Sequence, residues 1–204
     1  MLMDRESRSR RQLLETAADL IARSSYGTVS VDAICARASV HKGSFYHFFL
    51  SKSDLAVAAI EDHWERARPE KDRVFSPQLA PLDRIAGWCE LMRRNQTRRK
   101  EASGMVLGCP YMSLGSELST TDEKIRRKCR EISDRTCRYV ESAIRDAQAA
   151  GLVPAGDCAL KARELYTFSV GTILQAKIND DLGLLKDMKP AMWRLLGVRE
   201  RVGR

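Results

Sequence analysis

Residues 28–55, TVSVDAICARASVHKGSFYHFFLSKSDL, predict two short helices joined by a tight connection. Ser30 is suited to cap the first helix because its side-chain oxygen accepts a backbone N–H, and Asp32 then favours the helix dipole. The second helix has three aromatic rings on one face: Phe45, Phe48 and Phe49. Two short helices of this kind are typical of a helix-turn-helix.

The opposite face of the second helix carries small and polar residues that suit DNA. Gly43 leaves no side chain between the backbone and a groove wall, while the hydroxyls of Ser44 and Tyr46 can reach phosphates or base edges. The stretch from Ala33 to Ser53 contains three basic residues and no Asp or Glu, which favours contact with phosphate. The predicted DNA contacts are Ser30, Lys42, Gly43, Ser44, Tyr46, His47 and Lys52.

Composition does not choose between this interpretation and its alternative, an ordinary helical hairpin with a solvated polar face. The 204 residues include 35 Lys and Arg against 27 Asp and Glu, a net charge of +8. Such a surplus is compatible with nucleic acid, but it does not say where a partner would bind. With 44% hydrophobic and 30% charged residues, the chain is predicted to be globular rather than disordered.

The sequence argues against several other classes of protein. Its longest apolar run, residues 55–60, is far shorter than the roughly 18 residues of a membrane span, and no export signal is visible, so a cytoplasmic protein is expected. The six cysteines show no C-x-x-C spacing, which favours reduced thiols and no metal site. No phosphate-binding loop or nucleophile elbow is present, so neither an enzyme nor a cofactor is predicted.

The segments on either side of the quoted stretch also fit a helical period, so the predicted fold class is all-α. One helix is predicted from about residue 8 to 23. Another begins after Ser51 and ends near residue 66, and Asp54, three residues after Ser51, is in a capping-box-like position. Residues 68–81 carry three of the six prolines and are predicted to loosen or end that helix and to mark a domain boundary. Later helices are predicted near residues 82–101, 108–118, 121–151, 157–182 and 189–196.

The quoted stretch closely resembles the N-terminal DNA-binding domain of the TetR family of transcriptional regulators, including HKGSFYHFF and the following SKSDL. The resemblance implies a three-helix helix-turn-helix DNA-binding domain in residues 1–66 and a helical effector-binding and dimerisation domain in residues 67–204. It also implies a homodimer that binds a palindromic double-stranded DNA operator through the residues named above. A repressor released by an effector is expected, while an activator and an effector-independent DNA-binding protein stay open.

Three residues depart from the family pattern. Ser39 stands where Gly is frequent in the turn, so a residue with a Cβ must adopt a conformation that Gly takes freely. His41 replaces the usual Ser at the start of the recognition helix, which weakens its cap. Leu50 stands where a basic residue is common, which removes one phosphate contact.

Two C-terminal segments, GCPYMSLGSELS (108–119) and GTILQAKINDD (171–181), resemble the NemR-like branch of the family, in which a Gly-Cys at this place serves as a reactive thiol. Cys109 is the matching residue, and Lys177 is the cation predicted to favour its thiolate. The alternatives are a buried structural thiol and a non-covalent small-molecule pocket. The predicted pocket lining is Trp88, Met92, Tyr111, Met112, Tyr166 and Phe168.

The family resemblance also implies that the last two long helices pair with their mates in a dimer. The apolar rows predicted for that interface could instead pack inside one subunit. A dimer is favoured because two recognition helices must lie about one DNA turn apart to contact a palindrome. The rows are Leu165, Phe168, Ile173, Leu174, Ala176, Met192, Leu195 and Leu196.

Overall fold

The computed structural model describes residues 2–198, with side chains from Glu6 onward. All regular elements in this range are helical, which confirms the predicted all-α class. The helices are α1 Leu2–Arg23, α2 Val31–Ala38, α3 Lys42–Phe48, α4 Lys52–Val74, α5 Pro81–Ser103, α6 Pro110–Leu118, α7 Glu123–Ala149, α8 Cys158–Ile178 and α9 Met188–Leu196, with a 3-10 turn at Leu182–Leu185. In the described range no helix is long and apolar enough to cross a membrane.

The chain divides into two compact units. The N-terminal unit contains the residues up to Ala67 together with Pro110–Ile132, and the C-terminal unit contains Arg68–Cys109 and the residues from Ser133 onward. The boundaries fall inside α4 and α7. The functional division after residue 66 stays a prediction, because compactness does not report which residues serve DNA or an effector.

The helix-turn-helix forms from local signals that the sequence contains. The Ser30 side chain accepts a hydrogen bond from the Ala33 N–H at 3.0 Å and caps α2. The turn that follows contains Ser39 in the left-handed conformation, with φ 53° and ψ 40°. His41 makes no side-chain cap on α3, in agreement with the prediction of a weak cap.

The start of α4 is closed by a reciprocal pair of hydrogen bonds. The Ser51 Oγ accepts from the Asp54 N–H at 3.1 Å and donates to the Asp54 carboxylate at 2.7 Å. Both residues match the predicted capping box. Below these caps, the N-terminal unit buries an apolar core that includes Leu13, Leu14, Ile34, Phe45 and Leu55.

The predicted end of α4 near residue 66 is wrong. The helix continues through Pro69 to Val74, and the Phe75 N–H still bonds to the Lys71 carbonyl at 2.9 Å. Proline removes one N–H from a helix, but Phe75 is buried and its ring lies 6.2 Å from that of Trp88. We attribute the continuation to this burial, which offsets the missing hydrogen bond.

Other helix boundaries agree better with the sequence. The helix α1 begins at Leu2, six residues before its predicted start. The prediction began later because the residues before residue 8 are mostly polar and form no apolar stripe. From α5 onward each helix end lies within four residues of its predicted position. The C-terminal unit packs these helices around a core that includes Ile85, Trp88, Ile144, Leu165 and Met192.

The apolar rows predicted for a dimer interface need correction. Five of their eight members are buried in the core of the C-terminal unit, so the alternative of packing inside one subunit is right for them. These are Leu165, Ile173, Ala176, Met192 and Leu196. Two other members of the rows, Leu174 and Leu195, are exposed. Further large apolar side chains are exposed along α8 and the 3-10 turn: Leu160, Ile178 and Leu184.

Candidate functional site

The recognition helix α3 turns most of its predicted DNA contacts outward. Phe45 and Phe49 are buried with ring centroids 5.8 Å apart, and they hold the helix against the core. Tyr46 is 52% exposed. A Cβ added to Gly43 would meet nothing within 4 Å, so the helix backbone is open to a groove wall at that residue. Ser30 and His47 are also exposed, and Ser44 is half-buried.

Lys42, at the start of α3, has a partner that sequence reasoning missed. Its Nζ lies 2.7 Å from the Asp32 carboxylate, and this hydrogen bond and the charge of Asp32 raise the pKa of Lys42. Asp32 is the residue just before the acid-free stretch, and the fold returns its carboxylate to the DNA-facing cation. A phosphate at Lys42 would therefore compete with Asp32.

Lys52 lies in a different environment from Lys42. Its half-buried Nζ donates hydrogen bonds to the backbone carbonyls of Tyr26 and Val29, both at 2.9 Å, and lies 4.0 Å from the Tyr26 ring centroid. Burial lowers the pKa of Lys52. Because an ammonium has three N–H donors, these contacts leave one for a phosphate. Its predicted role in DNA contact stays a prediction.

The first turns of α1 lie beside the end of α3. Glu6 places its carboxylate 3.8 Å from the His47 Nε2, and the Arg10 guanidinium lies 5.6 Å from the centre of the Phe49 ring. A carboxylate near His47 reduces the positive charge available to a phosphate there. The sequence did not indicate this contact, since the two residues are far apart along the chain.

The predicted thiol site is built around Gly108, in the C-terminal unit. The buried Gln96 side chain binds both backbone groups of Gly108, since its amide donates to the Gly108 carbonyl and its oxygen accepts the Gly108 N–H, each at 3.2 Å. Arg99 donates to the same carbonyl at 2.6 Å. Gly108 has φ +76°, a conformation that favours glycine. Hydrogen bonds thus hold both the N–H and the carbonyl of the residue before Cys109.

The cation predicted for this site, Lys177, contacts the same glycine. A Cβ at Gly108 would lie 2.9 Å from the Cδ of Lys177, so the lysine side chain packs directly against the Gly108 Cα. Cys109 itself is half-buried. The structure therefore brings the aliphatic part of Lys177 next to Gly108, the residue before Cys109.

A second cation, Lys71 of α4, was not identified from the sequence. Burial lowers the pKa of Lys71 to about 8, and the nearby charges of Cys109 and Glu70 oppose that shift. Lys71 lies in the stretch whose prolines led us to predict that the helix loosens or ends there. A prediction of a continuous helix would have placed Lys71 on α4. No local sequence pattern, however, indicates that Lys71 lies near a thiol.

Val106, two residues before Gly108, is held by a residue that follows α8, which in turn pairs with α5. The Asp180 carboxylate accepts the Val106 N–H at 2.9 Å and pairs with the Lys100 Nζ at 3.1 Å. Lys100 also donates to the Asp180 carbonyl at 2.5 Å. We call residues 106–109 the Gly108 segment.

The other residues predicted around an effector divide between the two units. Trp88 is buried and Tyr166 half-buried in the C-terminal unit. Tyr111 and Met112 belong to α6 in the N-terminal unit, where the Tyr111 ring lies 5.4 Å from that of His63. Their common role as a pocket lining stays a prediction.

Two further features of the described residues bear on ligand binding. A groove of about 510 Å³ in the C-terminal unit is lined by residues of α5, the 3-10 turn and α9, including Cys89, Leu185 and Lys189. None of its lining residues is among those predicted to bind an effector. Within residues covered by the structure, no group of three or more His, Cys, Asp or Glu side chains could hold a metal ion.

Two family models match the chain. One, described as bacterial regulatory proteins of the tetR family, matches residues 13–59. The other, described as the tetracyclin repressor-like C-terminal domain, matches residues 81–192. The first contains the helix-turn-helix, and the second contains Cys109 and Lys177.

Individual proteins are similar over most of their length. The transcriptional regulator AcuR of Cereibacter sphaeroides is 29% identical over 174 residues, 84% of this chain and 78% of AcuR. The HTH-type transcriptional repressor NemR of Escherichia coli K12 is 28% identical over 181 residues, 85% of this chain and 86% of NemR. A crystal structure described as regulatory protein TetR from Rhodobacter sphaeroides superposes with a TM-score of 0.80 at 28% identity, covering 92% of this chain and 98% of that one.

Proposed function

Since the chain belongs to the TetR family of bacterial transcriptional regulators, we propose that it is a homodimeric repressor that leaves its operator when Cys109 reacts with an electrophile or oxidant. The carrying observation is the Gly108 segment, whose backbone is held by Gln96 and Arg99 just before a half-buried thiol. The Lys177 side chain packs on Gly108, and the charge of Cys109 acts on Lys71. DNA binding through the helix-turn-helix follows from the family. The repressor, dimer and thiol steps are the proposal.

The outward residues of α3 contact the operator. Gly43 lets the backbone approach a groove wall, and Ser44, Tyr46 and His47 present polar groups to base edges or phosphates. Lys42 supplies charge to a phosphate after its hydrogen bond to Asp32 is replaced. Ser30 and Lys52 contribute at the edges of this face.

The dimer forms through the exposed apolar face of α8 and α9. Leu174 and Ile178 are 52% and 67% exposed, which is unusual for adjacent large apolar side chains on one helix. A two-fold pairing of this face with its mate would bury them in a four-helix interface. Two recognition helices in one dimer would then read the two halves of a palindrome.

The thiol responds because cations lie beside it. Lys71 is close enough that the Cys109 charge changes its pKa, and Lys177 packs on the preceding residue. Positive charge next to a thiol favours the thiolate, which is the reactive form. The similarity to a relative named as the HTH-type transcriptional repressor NemR supports the repressor role.

A DNA-binding experiment tests the proposal. The full-length protein is titrated onto DNA from upstream of its own gene at low salt, with reductant and with N-ethylmaleimide, a reagent that alkylates thiols. We expect a shift with reductant and its loss after alkylation. No shift under either condition would contradict a repressor that acts on its own promoter region.

Analytical ultracentrifugation tests the dimer separately. Leu174→Glu should convert the dimer to a monomer, because a carboxylate would be buried in the apolar interface. Leu79→Glu is the matched control, since Leu79 is similarly exposed, at 43%, but precedes α5 rather than lying on α8. A dimeric Leu174→Glu variant would place the interface elsewhere.

A further inference from the structure

We propose that Glu117 of α6 is a positioning residue for operator binding, which holds the loop between α1 and α2 (residues 24–30) in the arrangement that α2 and α3 need. The second half of the inference is that modification of Cys109 releases this contact. That half rests on the proposed function, whereas the first half rests only on DNA binding by the helix-turn-helix.

The contact joins residues 90 positions apart within the N-terminal unit. One oxygen of the Glu117 carboxylate accepts the Gly27 N–H at 2.8 Å, and the other accepts the Tyr26 N–H at 3.1 Å. Two successive backbone N–H groups thus bind one carboxylate. Hydrogen bonds to an ionised acceptor are stronger than those between neutral groups, and the paired geometry fixes the direction of the loop.

Lys52 holds the same loop from the start of α4. Its ammonium donates to the carbonyls of Tyr26 and Val29, while Glu117 accepts from the N–H groups of Tyr26 and Gly27. The two side chains together satisfy four backbone groups of a loop that has no helix of its own. This loop ends at Ser30, the cap of α2, so its position sets where the helix-turn-helix begins.

Glu117 differs from two lysines of α7 that also join the segment Pro110–Ile132 to the rest of the N-terminal unit. Lys124 pairs with Asp54 at 2.7 Å and Lys128 with Glu61 at 2.8 Å, and both of those carboxylates belong to α4. Glu117 instead contacts the residues that lead into α2. A shift of α6 would therefore reach the helix-turn-helix through Glu117 at its α2 end.

The exposure of Glu117 makes its contact reversible. The carboxylate is solvent-exposed, so water replaces the loop N–H groups when the contact breaks, and little stability is lost. The helix α6 begins at Pro110, the residue after Cys109. Glu117 follows about two helical turns later, so a displacement at the start of α6 is carried to it by a rigid helix.

The experiment compares Glu117→Ala and Glu117→Gln with Glu123→Ala in the full-length protein. Glu123 is an exposed glutamate of the same unit, so its removal reproduces the change in net charge without touching the loop. Each variant is titrated with operator DNA before and after treatment with N-ethylmaleimide. Hydrogen exchange of the Tyr26 and Gly27 amides reports the contact itself, and thermal unfolding reports the fold.

We expect untreated Glu117→Ala to bind the operator roughly five- to tenfold more weakly, with faster exchange of both amides and an unchanged unfolding temperature. Glu117→Gln should recover part of the affinity, because its side-chain oxygen still accepts one N–H. Glu123→Ala should bind at least as tightly as the natural protein. The ratio of affinities before and after alkylation should shrink in Glu117→Ala.

Wild-type operator affinity in untreated Glu117→Ala would overturn the positioning role. Weakened binding with the full alkylation response would overturn the link to Cys109. If alkylation fails to release the natural protein, the proposed thiol function is wrong, and the untreated affinities still decide the role of Glu117.

Discussion

The outer face of α3 and the Gly108 segment differ in how strongly they contact the rest of the protein. On α3, a Cβ added to Gly43 would meet nothing within 4 Å and Tyr46 is half exposed, so these two residues do little for the fold. In the Gly108 segment, Gln96, Arg99 and Lys177 surround a single glycine. A surface that binds a partner keeps some of its side chains open to that partner, whereas a segment that reports a reaction must be attached to the fold.

This difference separates stability from DNA binding in the two regions. Substitutions on α3 should alter operator affinity and leave the free energy of unfolding nearly unchanged. Substitutions in or around the Gly108 segment should alter the free energy of unfolding first. The following predictions test this separation, beginning with the largest effect.

Lys71→Met tests whether a buried charge near Cys109 limits stability. The pKa of Lys71 is about 8 in the folded protein, against 10.5 for a lysine in water. Between these values the unfolded chain holds a proton that the folded protein has lost, so stability rises with pH. As the pH rises from about 8 to 10.5, the free energy of unfolding of the natural protein should increase by about 3 kcal/mol relative to that of Lys71→Met.

Urea unfolding at several pH values between about 7 and about 11 measures this gain. Lys186→Met is the control, because Lys186 is an exposed lysine of the C-terminal unit. Its stability should follow the natural protein at every pH. Parallel pH profiles for the natural protein and Lys71→Met would mean that Lys71 is charged and solvated in the folded state.

Gly108→Ala and Gly43→Ala compare the two regions with one chemical change. Alanine at residue 108 must adopt φ +76° and place its Cβ 2.9 Å from Lys177, so we expect a loss of roughly 2 kcal/mol of stability. Alanine at residue 43 adds a methyl group in open space on a helix and should leave the stability equal or up to about 1 kcal/mol higher.

Operator titration completes this pair. Gly43→Ala should bind DNA more weakly although it is at least as stable, because the methyl group lies where a groove wall approaches. Folded Gly108→Ala should bind nearly as well as the natural protein in reductant. Equal free energies of unfolding for Gly43→Ala and Gly108→Ala would contradict the proposed difference between the two regions.

Lys42→Ala and Asp32→Asn should change operator binding in opposite directions. Removing Lys42 deletes a phosphate contact, so operator binding should weaken. The slope of the logarithm of the binding constant against the logarithm of the salt concentration should become shallower by about one unit. Neutralising Asp32 frees Lys42 from its 2.7 Å partner and removes a carboxylate from the DNA face, so affinity should rise. Weaker binding by Asp32→Asn would show that this carboxylate orients Lys42 rather than competing with DNA.

Local patterns predicted the helix-turn-helix well. The cap at Ser30, the box at Ser51 and Asp54 and the aromatic face of α3 each depend on residues close together in sequence. The end of α4 was predicted wrongly because a proline was interpreted as a break, although burial of Phe75 favours a continuous helix.

The remaining features depend on contacts between distant segments. Gln96 and Lys71 approach the Gly-Cys pair only after α4 and α5 pack, and Glu117 reaches Gly27 across 90 residues. Five of the eight residues predicted for the dimer rows were assigned to the wrong surface for a related reason. The helix α8 has apolar residues on several sides, so its sequence does not say which side faces the core and which, like Leu174, stays exposed.

The most direct test of the account is operator release by N-ethylmaleimide, measured by fluorescence anisotropy, in the natural protein and in Cys109→Ser. The matched control is Cys158→Ser, because Cys158 is another half-buried thiol of the C-terminal unit. We predict that all three proteins bind the operator in reductant and that only Cys109→Ser stays bound after treatment. Unchanged release of Cys109→Ser would contradict a regulator that senses through this thiol.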